Sequence, residues 1–373
     1  MYIFKIRGKN NGEKEGLITL MEFFYKNIKF YKKQWERIFM KEKNIMWNFS
    51  PRTDLAIEAR ELAQEEQNNC DELDGVKVET RQTDIYQITH VQILNQTGSE
   101  TMGKPIGNYI TIESELLKEN DITSHEEMMK VVAQHISGLT NLNPKSKILV
   151  VGLGNWNITP DALGPKVIDK ILVTRHLEGV LPEELEKSVR SVAAISPGVM
   201  GITGIETGEI IKGVVEKLKP DLVIAIDALA ARKFSRINST IQMSDTGVAP
   251  GAGVGNKRMT LNKETLGVPV LALGVPTVVD AATLINDTMD RMLEEMIAQT
   301  KQGSAFYQML HSMDTDEKYK LIVEILNPYV GNMFVTPKEV DAVVDRLANI
   351  IANAINVAVH PGITMEDINR FTY

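Results

Sequence analysis

Two aspartates carry the chemistry this sequence offers. Asp161 follows Gly152-Leu153-Gly154-Asn155 and opens a stretch of helix formers, whereas Asp227 closes the apolar run Leu222-Val223-Ile224-Ala225-Ile226. Taken alone, Asp161 fits a first-turn acid favoured by the helix macrodipole, with Pro160 before it. Asp227 is harder to explain that way, because an acid ending so apolar a run is partly desolvated and needs a partner. If both reach one cleft they can work on a water: one carboxylate takes its proton, and the other, protonated, donates to a carbonyl or a leaving amine. Two carboxylates held close cannot both ionise easily, which separates their pKa values and their roles. The backbone N–H groups of Gly154 and Asn155, at the helix start, are the candidates for an oxyanion site. A divalent cation held by the same oxygens and activating the water is the alternative.

The elements that would position these acids are legible. Lys147-Ile148-Leu149-Val150-Val151 predicts a buried strand, followed by a turn and a helix over Ala162 to Thr174. Val189 to Ile195 predicts a second strand, Gly208 to Lys219 a helix, and Leu222 to Ile226 a third strand ending at Asp227. This alternation specifies an α/β fold, a mostly parallel sheet with helices on both faces, in which ligands gather beyond the carboxyl ends of the strands. Further strands are expected at Ser239 to Met243 and Val268 to Leu273, with an added β segment over about 76–112. A helix is expected to start near Thr53, another over Glu126 to Leu139, and a C-terminal helical part over about 283–373. In that last part Thr336-Pro337-Lys338-Glu339 reads as a capping box with proline at the first helical position.

Rival chemistries are weaker. Gly152-Leu153-Gly154-Asn155-Trp156-Asn157 lacks the third glycine of a dinucleotide fingerprint. Asp245-Thr246-Gly247 matches the triplet of pepsin-like proteases but stands alone, and it reads as a turn. There is no G-x-S-x-G elbow and no H-E-x-x-H, and His90, His125, His135, His176, His311 and His360 show no ligand spacing.

The 373 residues are 43% hydrophobic and 24% charged, which excludes disorder and small stapled scaffolds. The net charge of −8 argues against direct nucleic-acid binding, and no apolar run is long enough to predict a membrane span. The single cysteine, Cys70, suits a reducing cytoplasm. Residues 1–39 depart from this balance, with nine basic against four acidic side chains. Two readings stand: a basic arm, disordered or laid on a partner, or an extension outside the native chain. Trp35-Glu36-Arg37 requires guanine-rich codons resembling a ribosome-binding site, and Met40 follows closely.

With these motifs in view, the chain from about Met40 to Tyr373 resembles the germination protease, or spore protease, family of endospore-forming bacteria. The likeness rests on Gly152 to Pro165, on Pro197-Gly198-Val199-Met200-Gly201-Ile202-Thr203-Gly204, on Ile226-Asp227-Ala228-Leu229-Ala230-Ala231-Arg232, and on Asp245-Thr246-Gly247 with Pro250 to Asn256. It implies an endopeptidase that digests the small acid-soluble proteins coating spore DNA, made as a zymogen and assembled as a homotetramer. It places the protein in the cytoplasm of the forespore and the spore core. Asp161 and Asp227 are then the catalytic pair, with Gly154, Asn155, Thr203 and Arg232 on the oxyanion and substrate side. The resemblance also implies a fold related to the hydrogenase-maturation endopeptidases (phosphorylase/hydrolase-like), in which acids at these two places bind a metal together with a histidine. No histidine of this chain stands in an evident equivalent position.

The family's substrates resemble one another at the cut: a threonine, an acid, a large apolar residue, an alanine and a further acid. Thr53-Asp54-Leu55-Ala56-Ile57-Glu58 has this arrangement. Self-cleavage is therefore expected between Asp54 and Leu55, held off until a change in acidity or hydration frays this segment. The expected organisation is an extension over 1–39, a propeptide over 40–54 and a single peptidase domain over 55–373. Two other classes remain open: a non-enzymatic peptide-binding or assembly protein whose aspartates only cap helices, and a metal-dependent maturation peptidase.

Overall fold

Runs such as Ile148-Leu149-Val150-Val151 and Leu222 to Ile226 are apolar without alternation because both faces of their sheet are covered. Residues of one parity, including Ile148, Val150, Ile224 and Ile226, enter one core, and their neighbours Leu149, Val151, Val223 and Ala225 enter a second on the opposite face. The computed structural model describes residues 53–66, 73–251, 258–299 and 333–371. The expectations for residues 1–39, for 40–52 of the propeptide, for Cys70 and for His311 lie outside those residues.

The strands are β1 (Val76–Gln82), β2 (Gln87–Ile93), β3 (Gly107–Glu113), β4 (Lys147–Gly152), β5 (Ser191–Ile195), β6 (Leu222–Ala231), β7 (Thr240–Ser244), β8 (Val270–Asp280) and β9 (Phe334–Val335). They form one sheet in the order β1-β2-β3-β7-β8-β6-β4-β5, with β9 paired to β8. The expected parallel unit is β5-β4-β6-β8. The added β segment does not form a separate layer. β1, β2 and β3 continue the same sheet through antiparallel pairing of β3 with β7 and of β7 with β8.

The helices used below are α1 (Ala56–Glu66), α2 (Gln96–Met102), α3 (Ile122–Leu139), α4 (Leu163–Ile168), α5 (Thr207–Leu218), α6 (Ala281–Gln299) and α7 (Val340–Val359). α3, α4 and α7 cover one face over the larger core. On the other face α5 packs over the parallel end through Ile211 and Val215, and α1 packs over the antiparallel end through Ala56 and Ala63. The gap between α5 and α1 lies over β6 and β8. α7 is long and apolar enough to cross a membrane by length and composition, but two thirds of it is buried against the sheet and α3. It is the core helix.

Three boundaries differ from the sequence reading. α4 stops at Ile168 instead of continuing to Thr174. β6 runs through Asp227 to Ala231 instead of ending at the acid. The capping box before α7 does not form: Glu339 makes no side-chain cap, and the Thr336 hydroxyl donates across to the Thr277 carbonyl at 2.8 Å. A tertiary acceptor takes the donor that the local pattern assigns to the helix.

Candidate active site

Asp161 is placed by a tight return of the chain after β4. Gly154 turns with φ +110°, and a Cβ there would stand 2.0 Å from the Asp161 carbonyl oxygen, so only glycine lets the two segments close. Asn155 N–H donates to that same carbonyl at 3.0 Å. Asp161 sits in the 3-10 turn Thr159–Asp161, and the residue before α4 is Ala162, which makes no side-chain cap. The acid is therefore not spent on the helix.

Asp227 lies within β6, where Ala228 N–H donates to its Oδ1 at 2.9 Å. Its side chain shares the face of Val223 and Ala225, which turns it into the gap between α5 and α1. One residue of β8, Thr277, has no partner where the β6 register shifts between Leu229 and Ala230. The Thr277 hydroxyl donates to the Pro160 carbonyl at 2.7 Å, tying this bulge to the turn that carries Asp161.

The two acids meet in one cavity of about 470 Å3, whose lining includes Asp54, Gly154, Asp161, Asp227, Arg258 and Thr277. Burial pushes the Asp161 carboxyl up to about 6, against a backbone hydrogen bond from Asn155 and the attraction of Arg258. Asp227 is raised well above the usual carboxylate range, first by burial and then by the charges of Asp161 and Asp54. Carboxyls raised by burial in one cavity are suited to holding and exchanging protons.

Asp54 is the third acid here. Its backbone N–H donates to the Ala230 carbonyl at 2.9 Å, and Ala230 N–H donates back to its Oδ2 at 2.9 Å. The Thr53 Oγ1 accepts from Leu55 N–H at 3.0 Å, closing a local turn before α1, and the Asp54 carboxylate goes to β6. The Asp54 carbonyl oxygen accepts from Lys104 Nζ at 2.9 Å and Gln242 Nε2 at 3.1 Å. Beyond it, Leu55 is fully buried and packs with Ile57, Leu229 and Ile237. Glu58, fully buried in α1, hydrogen-bonds with the Thr53 hydroxyl and accepts from Arg232 N–H at 2.6 Å, Lys233 N–H at 2.9 Å and Arg236 Nη1 at 3.3 Å.

A profile described as germination protease matches residues 56–302 and 291–372. The chain belongs to the germination protease family. A germination protease of Clostridium perfringens is 54% identical over 325 residues, covering 87% of this chain and 99% of that one. One from Bacillus cereus is 44% identical over 368 residues, covering 90% and 100%. Among solved structures, the NiFe hydrogenase maturation protease HycI from Thermococcus kodakarensis matches at 20% identity and a TM-score of 0.25, covering 53% of this chain and 99% of that one.

Germination proteases are peptidases, and this family member is accordingly an endopeptidase. Of the residues singled out in its sequence, Asp54, Gly154, Asp161 and Asp227 share the cavity. Three do not fit where expected. Asn155 N–H is committed to the Asp161 carbonyl and is not free for an oxyanion. Thr203 is exposed, with its hydroxyl donating to the Ile205 carbonyl at 2.9 Å. Arg232 turns to Glu65 at 3.1 Å and Asp287 at 3.8 Å. Sequence reasoning missed Lys104, Gln242, Arg258 and Thr277. Arg258 follows the glycine-rich motif that ends at Asn256, but the others carry no local signal.

The donor set does not match an acid-acid-histidine metal site. Among the described residues no histidine lines the cavity, and no group of three His, Cys, Asp or Glu side chains is spaced to hold a metal. The buried His360 is engaged by the Leu172 carbonyl at 3.1 Å and Arg190 N–H at 3.2 Å. Arg258 already supplies positive charge to both acids.

Proposed function

We propose that this family member is a zymogen that cleaves itself between Asp54 and Leu55 and thereafter opens small acid-soluble spore proteins at bonds of the same kind. The observation that carries this reading is the seat of Asp54. Asp54, the acid of the stretch that looks like the substrates, lines the cavity of Asp161 and Asp227 and is held to β6 through Ala230. In the uncleaved chain it fills the place a substrate strand would take, and its loss uncovers the cleft. The propeptide is then 40–54, with the peptidase domain over 55–373.

Hydrolysis follows from the two raised carboxyls. Asp227, raised by burial and by the charges of Asp161 and Asp54, gives the proton that the leaving amine needs, and Asp161, near 6, is largely ionised at neutral pH and takes a proton from the attacking water. Assembly as a homotetramer is supported by exposed apolar side chains beside the cavity-lining segments, among them Trp156, Ile158, Met200 and Ile202. The spore-protein substrate puts the enzyme in the cytoplasm of the forespore and spore core.

The test is to incubate the purified full chain with a small acid-soluble spore protein and sequence every product. New termini after the acid of a Thr-acid-apolar-Ala stretch, together with an active form beginning at Leu55, are expected. Active enzyme that retains residues before Leu55 overturns the zymogen reading.

A further inference from the structure

Asn155 N–H is committed to the Asp161 carbonyl, whereas the carbonyl of the bond in question is held by two other donors. Asp227 of β6 pairs with Gly274 of β8, and Gly274 pairs with Gln242 of β7. The three residues form one row across the sheet, and side chains in a row share a face. Gln242 therefore stands on the face of Asp227 two strands away, roughly 9–10 Å between backbones by the usual strand spacing, with a residue lacking a side chain between them. Lys104 approaches from the loop after α2. Both reach the same atom, the carbonyl oxygen of Asp54, at 2.9 Å and 3.1 Å.

The orientation of the Gln242 amide is fixed from its other end, because its Oε1 accepts from Ala56 N–H at 2.6 Å and its Nε2 is thereby aimed at Asp54. The two bonds clamp the peptide on both sides of the Asp54-Leu55 link. A second cavity, of about 250 Å3, is lined by Asp54, Lys104, Gln242 and Asp227, so the donors and the acid border one space. Burial draws the Lys104 ammonium down from its ordinary range, while Asp54 and Glu58 pull it back up.

We propose that Lys104 and Gln242 are catalytic residues forming the oxyanion site of the self-cleavage reaction. This rests on the reading that Asp54-Leu55 is the bond cut. Water adds its oxygen to the Asp54 carbonyl carbon and gives one proton to Asp161. The carbonyl π pair moves onto the oxygen, where the Lys104 ammonium and the Gln242 amide N–H stabilise the negative charge. The intermediate then breaks its C–N bond, the Leu55 nitrogen takes the proton of Asp227, and the products are the Asp54 acid and the Leu55 amine. When the cleaved segment leaves, the same donors face the carbonyl of an incoming substrate.

The experiment follows self-cleavage of the full chain by intact mass between about pH 5 and about pH 7, with the product terminus sequenced. Lys104→Ala and Gln242→Glu are each expected to slow cleavage by about 100-fold or more. Gln242→Glu keeps the acceptor for Ala56 N–H and removes the donor, so it tests the amide without freeing α1. Lys104→Arg, which keeps a charged donor, should stay within about tenfold of the wild-type rate. Added propylammonium should restore part of the rate to Lys104→Ala, which a merely structural lysine would not allow. A wild-type product that begins elsewhere than Leu55 overturns the cleavage-site reading and this inference with it. A product at Leu55 with unchanged rates in both Lys104→Ala and Gln242→Glu, or a slowed Lys104→Ala that propylammonium leaves untouched, overturns this inference alone.

Discussion

Asp54 holds Ala230 with both its backbone N–H and its carboxylate, three residues along β6 from Asp227. The segment before α1 is thus registered against the strand of Asp227, and the Asp54 charge adds to the forces that raise the Asp227 carboxyl. Removing this segment would take the Asp54 charge away from Asp227.

Asp54→Ala should therefore remain uncleaved, since it loses the carboxylate bond to Ala230 N–H that sets the register of the segment. N-terminal sequencing after prolonged incubation of wild type and variant makes the comparison. Processing of Asp54→Ala at the wild-type rate would mean that the carboxylate plays no part in presenting the bond.

Asp161→Asn and Asp227→Asn should each abolish cleavage, and the double variant should be little worse than either. If the two carboxyls act on one water, as proposed, the second loss removes nothing that the first has left. Rates from a peptide spanning the Thr53–Glu58 sequence give the measurement. Additive losses would count against a shared water.

The raised Asp161 pKa has a stability consequence whose sign is fixed. The folded protein releases this proton near 6 and the unfolded chain near 3.8, so over that interval the folded state binds more protons. Stability from this group is present below about pH 4 and declines as the pH rises through about 6. The difference amounts to about 3 kcal/mol at most, by the usual conversion of pKa into free energy. Asp161→Asn is expected to be the more stable protein at neutral pH, with the advantage fading near about pH 4. Thermal unfolding at several pH values reads it, and a gain independent of pH would refute the assignment.

Arg236 holds the buried Glu58 at 3.3 Å, Glu61 at 2.7 Å and Glu113 at 2.8 Å. Replacing it with methionine leaves Glu58 charged, buried and short of a cation, at a cost of about 3 kcal/mol. Denaturant unfolding should show a lower midpoint with an unchanged slope. An unaltered midpoint would mean that the backbone donors of Arg232 and Lys233 suffice.

The sequence by itself determined the parallel unit and its two acids. A strand buried on both faces must be apolar throughout, so β4 and β6 announce themselves, and an acid inside the second of these runs has no structural reason to be there. It also marked Thr53 to Glu58, whose threonine, acid, large apolar residue and alanine stand in the arrangement that the family resemblance implies for a cleavage site. The helix ends were less legible: Thr336 gives its hydroxyl to Thr277 and Asp54 its carboxylate to Ala230, and neither partner is near in sequence. Lys104 and Gln242 were invisible for the same reason, carried to a new scale. The strand order β3-β7-β8-β6 is not the order of the chain, and only long-range pairing puts Gln242 in the row of Asp227 and brings the loop after α2 against Asp54. Local pattern reports burial and periodicity, whereas the meeting of Lys104, Gln242 and Asp54 is decided when the strands choose their neighbours.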